Sequence, residues 1–103
     1  MVTIVAIAAT DADAAEHVAH HLDTYLETLL DAGLLTFRIG RDRRDASRLV
    51  LIEEWSSDTA YDASAKRPAF AALQRELAPL LDAAPAAAAY EIVAAGFADD
   101  DDD

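Results

Sequence analysis

Short apolar runs alternate along this chain with longer stretches whose apolar residues recur at helical spacing. Val2 to Ala9 (VTIVAIAA) is rich in β-branched residues and free of caps and breakers, which predicts a strand. Thr10 or Asp11 is placed to cap a helix with acidic residues in its first turn, where the helix dipole favours them. Val18, Leu22, Tyr25, Leu26 and Leu29 mark that helix's buried stripe, and Gly33 stands where a helix stop is expected. Leu34 to Ile39 predicts a second strand and Arg48 to Trp55 (RLVLIEEW) a third. The polar link GRDRRDAS between them makes an antiparallel hairpin the economical connection. Ser57 or Asp58 then caps a short helix over about Thr59 to Lys66. Pro68 opens another helix carrying Phe70, Leu73, Leu77, Leu80 and Leu81, which Pro79 kinks or closes. After Pro85 comes a last strand, Ala87 to Ala95.

The order β-α-β-β-α-β places the chain in the α+β class as a ferredoxin-like fold with a four-stranded antiparallel sheet. Residues 1–96 form one domain, and 97–103 are expected to be an acidic tail without fixed structure. The first and last strands are apolar at nearly every position rather than at alternate ones. The helices are too few to cover both faces of the sheet. A second copy of the same sheet is the expected cover, which predicts a homodimer joined through the sheet faces.

Composition narrows the chemistry. Alanine supplies about a quarter of the 103 residues, so the core relies on close backbone approach. Without cysteine there is no disulfide scaffold, thiolate nucleophile or cysteine-based metal site. The formal net charge is −12, with Asp99 to Asp103 contributing five of those charges. So acidic a chain repels phosphate backbones, and no nucleic-acid partner is expected. No apolar run reaches the ~20 residues of a membrane span, and a cytoplasmic location is expected. Lys66 is the sole lysine. The acidic bias fits either a halophilic host or a GC-rich genome.

Several residues could carry chemistry. Trp55 ends the third strand, where its indole can stack on a flat ligand or pin the strand to the short helix. Glu53 and Glu54 must point to opposite faces, so one can be a buried carboxylate that takes a proton from a phenol. Both could instead be ion-pair partners of nearby arginines. Tyr61, Ser64, Phe70 and Gln74 lie on the two later helices and can line one pocket. His17, His20 and His21 form HVAHH, whose spacing can hold a metal but which reads better as a solvated helix flank. No metal site is expected. The three glycines build no phosphate loop, and three histidines on one helix make no Ser-His-Asp set.

The stretch Arg48 to Phe70, RLVLIEEWSSDTAYDASAKRPAF, resembles the middle of an antibiotic-biosynthesis-monooxygenase domain: an apolar strand ending in Glu-Trp, a Ser/Asp-capped turn, an aromatic-Asp pair and a Pro-x-Phe helix. Element order extends the resemblance to residues 2–95. It implies a dimeric α+β barrel with a ligand cavity between sheet and helices. It also implies cofactor-free oxygenation of a small quinol or phenol, in which the electron-rich substrate itself reduces oxygen. On this reading Glu53, Trp55 and Ser64 are the catalytic candidates, and Phe37, Tyr61, Phe70 and Gln74 the substrate contacts. The alternative is a non-catalytic ligand-binding or stress-associated protein on the same barrel. Ser64 stands where many relatives carry histidine. A haem-degrading role is not implied: its asparagine is missing from a chain without any, and Ser64 and Gln74 replace its tryptophan and histidine.

Overall fold

The computed structural model describes residues 1–98, and the expected acidic run 99–103 lies outside them. Its elements are β1 (Val2–Ala8), α1 (Ala12–Glu27), β2 (Leu34–Arg41), β3 (Arg48–Trp55), α2 (Asp58–Ala65), α3 (Pro68–Leu77), a 3-10 turn (Ala78–Leu80) and β4 (Ala86–Tyr90). The four strands form one antiparallel sheet in the order β2-β3-β1-β4, the ferredoxin-like arrangement.

Asp11 caps α1 through its carboxylate, which accepts the Ala14 N–H at 2.7 Å, and Ser57 caps α2 in the same way. Pro68 occupies the first turn of α3, where its missing N–H costs nothing. Three boundaries differ from the sequence expectation. Helix α1 stops at Glu27, well before Gly33: the Thr28 hydroxyl bonds back to the Tyr25 carbonyl at 2.6 Å, and turn bonds take over to Ala32. Gly33 instead turns the chain into β2 at φ +103°. Strand β2 runs on to Arg41, because Gly40 and Arg41 still have Val50 and Leu49 to pair with.

Strand β4 is the clearest correction. It ends at Tyr90 rather than Ala95, because its ladder partner β1 begins at Val2, opposite Tyr90. Beyond that point the sheet offers no backbone to pair with, and Glu91 to Ala98 carry no regular structure.

The helices pack on one face of the sheet. Thr3 and Ile7 of β1, with Leu49, Leu51, Glu53 and Trp55 of β3, are buried on that face. Opposite them Val18, Leu22, Leu26 and Leu29 and the α3 residues Leu73 and Leu77 complete the core, matching the predicted stripe. The other face stays bare. Ile4 and Ile52 lie side by side on neighbouring strands at 38% exposure each, and Tyr90 is 52% exposed.

Candidate functional site

Between the helical layer and the sheet lies a cavity of about 640 Å³. Its walls are largely aliphatic and aromatic: Val5, Leu51 and Trp55 from the sheet, Leu22 and Tyr25 from α1, Tyr61 from α2 and Phe70 from α3. Among the described residues no arginine, lysine or histidine lines it, and the only carboxylates on its walls are Glu53 and Asp82.

Glu53 is the buried charge of the site, 8% exposed. It sits directly across the ladder from Thr3, so both side chains emerge on the helical side. The fully buried Thr3 hydroxyl donates to Glu53 Oε1 at 2.6 Å. Trp55, two residues along the same strand, directs its indole N–H to that same oxygen at 3.4 Å. Oε2 receives no donor among the described residues, yet it is not sealed off, since the Tyr25 hydroxyl is the single buried and unpartnered side-chain polar atom among them. No arginine pairs with Glu53 or Glu54 among the described residues, contrary to the ion-pair alternative. Glu54 points to the opposite face and is exposed, as strand geometry requires.

Aromatic rings frame this carboxylate. Tyr61 meets the Trp55 indole edge-on at 5.7 Å between centroids, so Trp55 both pins β3 to α2 and walls the cavity. Across from them Tyr25 and Phe70 lie 6.4 Å apart. Burial raises the pKa of the Tyr25 phenol; the Arg67 charge works against this rise and the Glu53 charge adds to it.

The structure brings Glu53, Trp55, Tyr61, Ser64, Phe70 and Gln74 to one cavity and leaves Phe37 out. Phe37 lies on β2 beneath the outer flank of α1, near Glu16, Ala19, His20 and Asp23. Phe37 is the ladder partner of Glu53, but β2 is the edge strand on that side, and the cavity spreads from Glu53 the other way, over β1 and β4. Ser64 is present but engaged: its hydroxyl donates to the Tyr61 carbonyl at 2.7 Å, leaving it only acceptor capacity. HVAHH is a helix flank, with His17 and His20 exposed and His21 3.7 Å from Glu76 of α3. Among the described residues no three acidic or histidine side chains gather as a metal set.

Sequence reasoning passed over Thr3 and the Tyr25 hydroxyl. Thr3 is the one polar residue in an otherwise apolar first strand, and that isolation was the available signal. Tyr25 was legible as a stripe residue, but nothing in its spacing marked a hydroxyl without a partner.

The model of the antibiotic biosynthesis monooxygenase family matches residues 1–76. The chain belongs to this family. Solved structures agree on the fold. A Streptomyces coelicolor monooxygenase from the gene ActVA-Orf6, in complex with the ligand nanaomycin D, superposes with a TM-score of 0.82 at 18% identity, over 95% of this chain and 91% of that one. A Nitrosomonas europaea protein proposed to be an antibiotic biosynthesis monooxygenase gives 0.79 at 19% identity, over 89% and 88%. Rv0793 from Mycobacterium tuberculosis gives 0.71 at 20%, over 90% and 98%. No curated protein matches the sequence. As a family member the chain is of a monooxygenase type, and no helix among the described residues is long and apolar enough to cross a membrane.

Proposed function

We propose that this family member is a cofactor-independent monooxygenase acting on a small phenol or quinol held in the cavity. The observation that carries the reading is the Glu53 carboxylate: one oxygen is held by Thr3 and Trp55, and the other is without a protein donor at an apolar, aromatic-walled cavity. An oxygen so placed is open to accept from a proton-bearing group that a ligand brings to it. A phenolic hydroxyl is such a group, and its ring rests against Trp55, Tyr61 and Phe70.

The chemistry then needs little from the protein. Glu53 draws the phenolic proton, and the resulting phenolate is electron-rich enough to reduce dioxygen at the ring carbon para to it. A C–O bond forms at that carbon, the O–O bond breaks, and the para hydrogen is lost. The phenol leaves as a quinone with one oxygen atom of O₂, and the other atom leaves as water carrying the two hydrogens. Gln74, which lines the same cavity, is a second polar contact for the ring substituents.

The unit that works is a homodimer joined through the bare sheet face, where Ile4, Ile52 and Tyr90 stand exposed. A second reading keeps the cavity but drops the oxygen chemistry: a ligand-binding protein on the same scaffold. The engagement of the Ser64 hydroxyl with its own helix favours it, since that position then offers no acid or base.

Oxygen uptake separates the two. With metal and flavin removed, the folded protein should consume oxygen on a panel of phenols and quinols. Glu53→Gln should lower the rate by about 10²–10⁴, the usual worth of a general base. A panel without uptake leaves the binding protein as the reading.

A further inference from the structure

The polar inventory of the cavity is lopsided. Among the described residues its charged groups are both acidic, Glu53 and Asp82, and none of the lining residues is basic. Arg67 bears on the Tyr25 hydroxyl from nearby without lining the cavity. The Tyr25 hydroxyl is itself sealed from solvent, so it presents no surface to a ligand. Of the two acidic groups, the one beside the aromatic rings is Glu53, and its available acceptor is the carboxylate oxygen that Thr3 and Trp55 leave alone.

Which oxygen that is depends on Thr3. The two donors do not divide between the carboxylate oxygens but converge on Oε1, and the shorter bond by far is the one from Thr3 at 2.6 Å, against 3.4 Å from Trp55. Thr3 is 1% exposed and lies across from Glu53 in the ladder, so its hydroxyl has little freedom to bond elsewhere. A short bond from so constrained a donor restricts the turning of the carboxylate and so narrows the directions in which Oε2 is presented.

We infer that Thr3 is a positioning residue that turns Glu53 into a selectivity filter, so that the cavity takes neutral aromatic ligands bearing a free hydroxyl and rejects both their ethers and their carboxylated analogues. An ether oxygen can only accept, and against Oε2 it leaves two acceptors facing each other without a proton. A carboxylated ring brings a second negative charge into a space with no cation to meet it. A hydroxyl donor satisfies the site in one bond.

This inference rests on the cavity being the ligand site of the proposed function, but not on oxygen chemistry. The test is therefore equilibrium binding, which stands or falls apart from turnover. Three probes suffice: 2-naphthol, its methyl ether and 6-hydroxy-2-naphthoate, titrated by calorimetry into the full chain. The wild-type protein should bind 2-naphthol at least about tenfold tighter than either of the others, the scale of one buried hydrogen bond. Thr3→Val should cut the preference for the hydroxyl over the ether to below about threefold while ether affinity stays unchanged, because only the direction of Oε2 is lost. Thr3→Ser, which keeps the donor, should restore it. Thr3→Ala serves as the second donor-free variant should valine prevent folding, as judged by circular dichroism. A wild-type protein indifferent to the three probes overturns the filter. A Thr3→Val protein that still prefers the hydroxyl, or that loses ether binding in proportion, overturns the positioning role.

Discussion

At the scale of single residues, the cavity shows two hydroxyls in opposite circumstances. Thr3 donates a short bond to a buried carboxylate, whereas Tyr25 has a buried hydroxyl with no partner among the described residues. An unpaired buried hydroxyl costs about 1–3 kcal/mol, so Tyr25→Phe is expected to raise stability by roughly 1 kcal/mol in chemical denaturation at neutral pH. A loss of similar size would mean that the hydroxyl has a partner in solution. The same residue has a pH signature. Its pKa is raised on folding, first by burial, so the folded chain keeps a proton that the unfolded chain releases. That contribution is fully present below the unfolded value of about 10 and is lost as the pH rises through the folded one. Wild-type stability should therefore fall as the pH rises beyond about 10 by more than that of Tyr25→Phe. Neither hydroxyl was marked in the sequence for what it does. Residue type and spacing made Glu53, Trp55, Tyr61 and Phe70 candidates, because the chain has only seven aromatic residues and one of the adjacent Glu53 and Glu54 had to face inward. The isolation of Thr3 in an apolar strand marks it as unusual, but its partner becomes legible only once the register places it opposite Glu53.

At the scale of elements, what the sequence made legible was the order and type of each one, and what it hid was where three of them end. Periodicity and caps were sufficient for α1, α2 and α3, since Asp11, Ser57 and Pro68 act within their own turn. The end of β4 depends on where β1 begins, a fact about pairing that no local pattern holds. Gly33 shows the same distinction. Read as a helix stop, it instead carries the chain from the turn after α1 into β2, with a positive φ and its Cα facing α2. A Cβ placed there would come 2.5 Å from the Ala60 Cβ, closer than two carbons can approach. Both the backbone angle and the contact oppose alanine, so Gly33→Ala should cost about 2–3 kcal/mol in denaturant unfolding. A cost under 0.5 kcal/mol would show that α2 can shift freely, which would loosen the Tyr61–Trp55 wall of the cavity as well.

At the scale of the whole molecule, one face of the sheet holds the cavity and the other is bare. All five residues of β4 are exposed, and Ile92, Val93 and Phe97 beyond it are exposed as well. Such a surface is more apolar than a free monomer of this size needs, and its self-complementary cover is the proposed dimer. Light scattering should give about twice the chain's 11.0 kDa, and Ile52→Asp, a charge set beside Ile4 on the bare face, should return the protein to a monomer. A wild-type monomer would remove the dimer. The sequence anticipated this face from the unbroken apolar pattern of β1 and β4, yet it could not show that β4 lacks cover on both sides. The central claim concerns the other face. The metal-free and flavin-free protein should be given a phenol of the panel under ¹⁸O₂, with the product reduced at once so that its oxygen cannot exchange with water. The account predicts one labelled oxygen per product molecule, formed by the wild-type protein and not by Glu53→Gln. Unlabelled product, or labelled product at equal rate from both proteins, would contradict it.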